Sequence, residues 1–228
     1  MFTLDQVVPW GRSFDEYVRM FALTDTDLAS RILGCADGPA GFNAEATRRG
    51  ARVVSCDPIY RFDASELESR IAATYDEVLE QTRRNAEEFV WEGPIGSVDE
   101  LGRVRMEAMQ DFLRDYGPGE HARRYVEATL PSLPFPERSF DLALCSHFLF
   151  LYSSHLDEDF HREAIRELCR VAEEVRVFPL LALGGEPSPF VEPCAAELRV
   201  AGYDVAIERV PYEFQKGGHR MMRVRRVN

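Results

Sequence analysis

Small residues and acids of the types that could hold a nucleoside concentrate between residues 31 and 57. Gly34, Ala36 and Gly38 alternate in a short turn, and Asp57 follows two predicted elements later. Residues without bulky side chains let a ligand approach the backbone, and a helix that begins after such a turn directs free N–H groups toward it. A carboxylate at the end of the next strand can accept hydrogen bonds from both hydroxyls of a ribose. The combination favours a ligand that carries an adenosine.

Two strands and a helix are predicted to position these residues. A short apolar run enters the turn, a helix is predicted over 42–49 with Gly50 just beyond its end, and a β-branched strand over 52–56 stops at Asp57. Ligands of open α/β sheets bind outside the carboxyl ends of the strands. We therefore expect the turn and Asp57 to line one cleft.

The turn has the spacing of a known cofactor loop. Gly34-x-Ala36-x-Gly38 resembles the glycine loop of class I S-adenosylmethionine-dependent methyltransferases, with Ala36 where that family usually has glycine. It matches the Gly-x-Gly-x-x-Gly pattern of nicotinamide-binding proteins poorly, because Ala36 and Pro39 stand at the second and third glycine places. The acid that the methyltransferases commonly carry two residues before the first glycine is absent, since Ile32 stands there. The resemblance implies S-adenosyl-L-methionine as cofactor.

A proline-rich loop before the predicted fourth strand carries the same resemblance. The sequence LPFPERSFD, residues 133–141, is similar to the L-P-F-P-x-x-S-F-D signature of methyltransferases typified by the ubiquinone-biosynthesis C-methyltransferases. In that group the segment ahead of the loop walls the adenine. The resemblance implies this position for Thr129, Leu130 and Ser132.

Together the motifs give a set of candidate site residues. The predicted cofactor-binding residues are Gly34, Ala36, Asp37, Gly38, Asp57, Pro58, Thr129, Leu130 and Ser146. Arg12, in the leading segment, is expected either to meet the methionine carboxylate of the cofactor or to lie on the surface. No metal site is predicted, because the histidines at 147, 155 and 161 and the cysteines lack a ligand spacing.

His147, at the tip of the predicted fourth strand, is the candidate catalytic residue. Methyl transfer from a sulfonium depends on an aligned, desolvated acceptor, and a general base is needed only when the acceptor is protonated. His147 could serve as that base, or it could be a hydrogen-bonded structural histidine. Tyr152 and His155 are weaker candidates.

The whole chain, 1–228, is predicted to form one Rossmann-like α/β domain of the class I methyltransferase type. We expect a seven-stranded, mostly parallel sheet that ends in an antiparallel hairpin over 204–212 and 219–227, with a third strand over 124–128 and a fifth over 174–183, in which Pro179 marks a bulge or the strand's end. Capping boxes predict helices that begin after Ser13 and after Asp63. A helical insertion over 60–123 follows strand 2, with helices predicted over about 64–90 and from Ser97 to Gly117. It could be a lid, a substrate wall, a dimer contact or plain packing.

Composition restricts the functional classes. The chain has 228 residues, 45% hydrophobic and 29% charged, which is typical of one soluble globular domain. A net charge of −12 argues against nucleic acid and anionic membranes as partners. The five cysteines form no C-x-x-C pair and are expected to be buried thiols in a reducing compartment. With neither a signal peptide nor a membrane-spanning run visible, we expect a cytoplasmic protein.

The sequence therefore predicts an S-adenosylmethionine-dependent methyltransferase that acts on a small molecule. One alternative is a non-catalytic module that binds the same cofactor, which the missing acid at position 32 favours. A nicotinamide-dependent oxidoreductase is a third reading. A homodimer through the helical insertion is possible, and the acceptor is left open.

Overall fold

Seven strands form a single sheet in the computed structural model, which describes residues 9–227. Residues 1–8, where no signal peptide was predicted, and residue 228 lie outside the described part. The strands are β1 (Arg31–Cys35), β2 (Arg52–Cys56), β3 (Tyr125–Val126), β4 (Phe140–Ser146), β5 (Ala172–Phe178), β6 (Tyr203–Arg209) and β7 (Arg220–Arg226). Their order is β3-β2-β1-β4-β5-β7-β6. The first five strands are parallel, and β7 runs antiparallel between β5 and β6. The predicted Rossmann-like fold with its antiparallel hairpin is confirmed.

Helices cover both faces of the sheet. They are α1 (Phe14–Met20), α2 (Asp25–Leu28), α3 (Phe42–Arg48), α4 (Ala64–Arg84), α5 (Val98–His121), α6 (Glu158–Val171) and α7 (Val191–Val200). Neighbouring residues of β1 point to opposite faces, as strand geometry requires. Ile32 packs with the residues of α1 and α3, whereas Leu33 packs with those of α6 and α7. The strand tips are therefore held rigidly from both sides.

The helical insertion departs from the predicted boundaries. α4 begins at its predicted Asp63 cap but ends at Arg84, because the chain then turns to pair with the loop after β6, where Val90 N donates to Phe214 O at 2.7 Å. α5 continues to His121, beyond the predicted end at Gly117, and contains Pro118. A proline this close to a helix end removes only one late hydrogen bond.

Two predicted strands were too long. β5 was predicted over 174–183, with Pro179 at a bulge or at the strand's end, and it ends at Phe178 because Pro179 has no N–H to donate to a ladder. β3 was predicted over 124–128 and pairs with β2 through Tyr125 and Val126 only. All five cysteines are buried and unpaired. Within residues 9–227, no helix is both long and apolar enough to cross a bilayer.

The segment before α1 lies directly on the turn between β1 and α3. Gly41 N donates to Arg12 O at 2.9 Å. A Cβ placed on Gly11 would lie 2.0 Å from Pro39 O, a backbone atom that cannot move aside cheaply. Gly11 thus permits the close approach that holds Arg12 over the turn.

Replacing Gly11 with Ala should lower the free energy of unfolding by about 1–3 kcal/mol, because the added methyl group overlaps the Pro39 backbone. Gly96→Ala is the matched control, since a Cβ at this exposed glycine meets only the end of the flexible Glu100 side chain and should change stability by no more than about 0.5 kcal/mol. Urea unfolding of both variants checks the pair. Equal stability of the two variants would contradict the close approach.

Candidate functional site

A cavity of about 500 Å³ opens at the carboxyl ends of β1, β2 and β4. This volume is typical of a site for a small molecule or cofactor. Nine of the ten residues predicted from the motifs line it: Ala36, Asp37, Gly38, Asp57, Pro58, Thr129, Leu130, Ser146 and His147. The fold thus brings together residues that are up to about a hundred positions apart in sequence.

Gly34, the tenth predicted residue, lies behind the cavity wall. A Cβ on Gly34 would lie 1.8 Å from Oδ2 of Asp37, so the glycine leaves room for that carboxylate. Ala36 and Gly38 both have left-handed backbones, with φ of 55° and 54°. Ala36 therefore adopts the conformation that explains why glycine is usual at this place.

The carboxylate of Asp37 is buried in a network of hydroxyl groups. Tyr17 Oη donates to one oxygen at 2.8 Å, and Ser55 Oγ donates to the other at 2.6 Å. Burial raises the pKa of Asp37 to about 7, against the two hydrogen bonds that lower it, and the charge of Asp57 raises it further. A cationic ligand group beside Asp37 would favour its ionised form.

Asp57 is oriented by two backbone donors. Ile59 N donates to Oδ1 and Gly38 N donates to Oδ2, each at 2.9 Å. Burial raises the pKa of Asp57 to about 6, although these two hydrogen bonds lower it. Each carboxylate oxygen can accept a further hydrogen bond. Above pH 6 the group is therefore an ionised acceptor that faces the cavity with capacity for ligand hydroxyls.

The loop ahead of β4 forms the side wall next to Asp57. Thr129 and Leu130 line the cavity, whereas Ser132 closes the turn behind them by donating its N–H to Thr129 O at 3.2 Å. α6 holds the proline-rich loop: Glu167 accepts from Leu133 N at 2.7 Å, and Arg170 donates to Phe135 O at 2.9 Å. These two contacts fix the proline-rich loop against α6.

His147 stands at the tip of β4 with a left-handed backbone, φ 53°. The backbone N–H of His147 donates to Phe178 O at 2.7 Å, and its ring Nδ1 lies 2.9 Å from Ser146 Oγ. Desolvation lowers the pKa of His147 well below its usual value, helped by the charges of Arg12 and Arg105. The imidazole is therefore neutral at neutral pH and keeps a nitrogen lone pair.

The other histidines have structural or surface positions. His161 Nε2 accepts from Phe150 N at 3.0 Å, and its Nδ1 lies 2.7 Å from Asp157 O. His155 is exposed beside Ser154, while Tyr152 lines the cavity. Among residues 9–227, no group of three or more His, Cys, Asp or Glu side chains is arranged to hold a metal ion.

A charged cluster at one end of the cavity was not predicted from the sequence. Arg105 of α5 forms an ion pair with Glu16 of α1, and Tyr212 Oη donates to Glu16 at 2.8 Å. Arg12 and Tyr212 line the cavity beside it. A signal for Arg105 exists in the sequence, because it stands on the apolar stripe of α5 between Leu101 and Met109.

One face of α4 forms the wall opposite the strand tips. Its cavity-lining residues are Leu67, Arg70, Ala73, Thr74, Val78 and Thr82. The leading segment closes over this face, where Trp10 packs on Tyr75 with ring centroids 5.7 Å apart. The helical insertion therefore borders the site.

Comparisons with known proteins find one family model, a sequence relative and several similar structures. A family model described as "Methyltransferase domain" matches residues 104–174. The chain is 36% identical over 224 residues to the uncharacterized protein MJ0045 of Methanocaldococcus jannaschii, and the alignment covers 98% of each chain. Among solved structures, it is similar to magnesium protoporphyrin IX methyltransferase from Synechocystis PCC 6803, with 13% sequence identity and a TM-score of 0.49. The match covers 94% of this chain and 78% of that chain. A possible histamine N-methyltransferase from Thermotoga maritima gives 12% identity, 94% and 90% coverage and a TM-score of 0.47.

The raised pKa of Asp37 predicts a pH dependence of stability. A carboxyl group whose pKa is higher in the folded protein than in the unfolded chain binds its proton more tightly when folded, so stability falls as pH rises from about 4 to about 7. Asp37→Asn removes this titration. Between these pH values, the free energy of unfolding should fall less in the variant than in the wild type. The two decreases should differ by roughly 1–3 kcal/mol. Urea unfolding at pH 5 and pH 7.5 measures the difference, and parallel changes in the two proteins would contradict it.

Proposed function

We propose that this chain, a relative of the Methanocaldococcus jannaschii protein that carries a match to the methyltransferase-domain model, is a class I methyltransferase that transfers a methyl group from S-adenosyl-L-methionine to a small-molecule acceptor. The observation that carries the proposal is the cavity in which the glycine turn, Asp57 and the tip of β4 meet. When bound, the cofactor supplies an electrophilic methyl group on a sulfonium. The residues of the cavity bind the cofactor and the acceptor, orient them and exclude water from them.

Asp57 and the side wall are the proposed nucleoside site. Asp57 accepts the ribose hydroxyls with the lone pairs that Ile59 N and Gly38 N leave free. Pro58 and Ile59 on one side, and Thr129 and Leu130 on the other, enclose the adenine. The fit is supported by the open space at Gly38, where a Cβ would meet no atom within 4 Å.

Asp37 is the proposed partner of the cofactor's amino group. The family's usual acid is absent at Ile32, but the carboxylate of Asp37 fills the volume over Gly34. Its protein partners are hydroxyl groups, which leave its charge unbalanced at neutral pH. An ammonium group nearby would offset the burial cost of that charge.

His147 is the proposed general base for an acceptor that carries a proton. It is neutral at working pH, lies at the strand tip beside Ser146, and can take a proton from a hydroxyl or an activated carbon acid. Its low basicity favours one competing function, a binding module that holds the cofactor without turnover.

Transfer of a labelled methyl group to a metabolite extract distinguishes a methyltransferase from such a module, since a module transfers no label.

The insertion is proposed as the wall that selects the acceptor. Three of the six cavity-lining residues of α4 are apolar, namely Leu67, Ala73 and Val78, and they suit an apolar surface of the acceptor. The other three, Arg70, Thr74 and Thr82, offer polar groups. A wall of this kind excludes water from the reacting atoms. The homodimer expected through the same insertion stays a prediction.

Replacing Asp57 with Ala should weaken binding of S-adenosylhomocysteine about ten- to hundredfold, because charge-assisted hydrogen bonds worth about 1.5–3 kcal/mol are lost. Isothermal titration calorimetry at pH 7.5 measures the affinity. Asp76→Ala, which removes an exposed acid from α4, should bind as the wild type does. NAD is the control ligand, and tighter binding of NAD than of S-adenosylhomocysteine would refute the proposed function.

Replacing His147 with Gln should lower the rate of label transfer about hundredfold or more, because the proton acceptor is lost. The affinity for S-adenosylhomocysteine should stay within about twofold, since the proposed nucleoside contacts lie at Asp57 and Thr129. His155→Gln is the control, because this histidine is exposed. A His147 variant that keeps full turnover would rule out the catalytic assignment.

A further inference from the structure

A cluster of two arginines and one glutamate, in which Arg105 and Glu16 are buried and Arg12 is half-buried, lies beside the cavity. Arg105 is 0% exposed and Glu16 is 2% exposed, and the two form an ion pair. The second Glu16 oxygen accepts from Tyr212 Oη at 2.8 Å. Arg12 lines the cavity and donates through Nη1 to Trp10 O at 3.1 Å.

The charges of this cluster do not balance. Burial lowers the pKa of Arg12, and so does the like charge of Arg105, whereas the charge of Glu16 raises it. Glu16 is thus the one carboxylate for two guanidinium groups, and its ion pair is with Arg105. Burial raises the pKa of Tyr212, so its phenol is neutral. His147 is neutral as well. One positive charge in the cavity wall therefore lacks a counter-charge within the cluster, which is costly in a desolvated site.

The hydrogen bonds of the cluster are also incomplete. In the part of the chain that the structure describes, no acceptor lies within reach of Arg12 Nε, Arg105 Nε or Arg105 Nη2, although all three atoms are buried. Buried donors in native proteins almost always have partners. Arg12 lines the cavity, whereas Arg105 does not. A guanidinium group with an unpaired donor at a cavity wall suits a carboxylate ligand.

The cluster lies at the acceptor end of the cavity and not at the nucleoside end. Arg105 lies over the ring of Phe214 at 6.0 Å, and Tyr212, which donates to Glu16, packs on Phe178 with ring centroids 5.7 Å apart. The Phe178 ring in turn lies 5.4 Å from that of His147, at the tip of β4. The cavity residues of this end are largely aromatic or apolar: Phe148, Leu151, Phe178, Leu183 and Phe214. A ligand here meets an apolar surface together with one cationic point.

We propose that Arg12, backed by Arg105, binds a carboxylate of the methyl acceptor, and that the acceptor is an apolar or aromatic small molecule with one acidic group. The inference rests on the proposed function, because it assigns the nucleoside to the other end of the cavity. It also gives Arg12 a different ligand from the cofactor's methionine carboxylate, which was one expectation from the sequence.

The test uses a pair of probes that differ in charge and little in shape. Full-length protein saturated with S-adenosylhomocysteine is titrated with benzoate and with benzamide in a calorimeter. Benzoate should bind about tenfold or more tightly than benzamide, because only benzoate carries a negative charge that pairs with the guanidinium group of Arg12. Equal affinities, or no binding of benzoate, would overturn the proposal.

Arg12→Gln tests the assignment to this side chain. Its folding should persist, because the Arg105–Glu16 pair stays intact, and a thermal melt verifies this. The variant should lose the preference for benzoate and keep its affinity for S-adenosylhomocysteine. Arg19→Gln is the matched control, since Arg19 also carries one positive charge and lies over the Tyr212 ring at 5.4 Å, but does not line the cavity. It should keep the preference.

A comparison of two nucleosides excludes the other source of a carboxylate. If Arg12→Gln weakens S-adenosylhomocysteine but not 5′-methylthioadenosine, which lacks the amino acid, Arg12 binds the cofactor and the acceptor proposal is wrong. Failure of the wild type to bind either nucleoside would instead refute the proposed function. The two failures are therefore distinguishable in the same set of titrations.

Discussion

The site depends on the attachment of the glycine turn to the end of β2. Ala36 N donates to Cys56 O at 2.9 Å, Gly38 N donates to Asp57, and Tyr60 Oη donates to Gly38 O at 2.7 Å. These bonds hold the left-handed backbone of the turn against its conformational preference. They also bring two carboxylates to the same wall, so burial and mutual repulsion raise the pKa of Asp37. The electrostatics of the cavity thus follow from backbone geometry.

Much of the fold could be predicted because its signals are local. The capping boxes at Ser13 and Asp63 gave the correct starts of α1 and α4, and the β-branched run before Asp57 gave β2 with its observed bounds. The ends were harder to predict. α4 stops at Arg84 because the following segment pairs with the loop after β6, a contact that no local pattern contains.

The same distinction applies to the site. Residues next to strand tips could be found from motifs, and nine of the ten line the cavity. The cluster of Glu16, Arg105 and Tyr212 joins segments as much as 196 positions apart, and only the burial of Arg105 on an apolar stripe hints at it. Asp37 was predicted in the cofactor set, but its position over Gly34 depends on a tight turn that a sequence pattern does not describe.

The wall formed by α4 is fastened to the loop between β6 and β7. Val90 N donates to Phe214 O at 2.7 Å, Lys216 N donates to Glu88 O at 3.0 Å, and the rings of Phe89 and Phe214 stack at 4.8 Å. Two parts of the chain that are distant in sequence therefore set the width of the cavity jointly. A relative that accommodates a bulkier ligand would need compensating changes in both the segment after α4 and the loop between β6 and β7. Specificity in this family should therefore diverge through coupled substitutions in these two contacting segments.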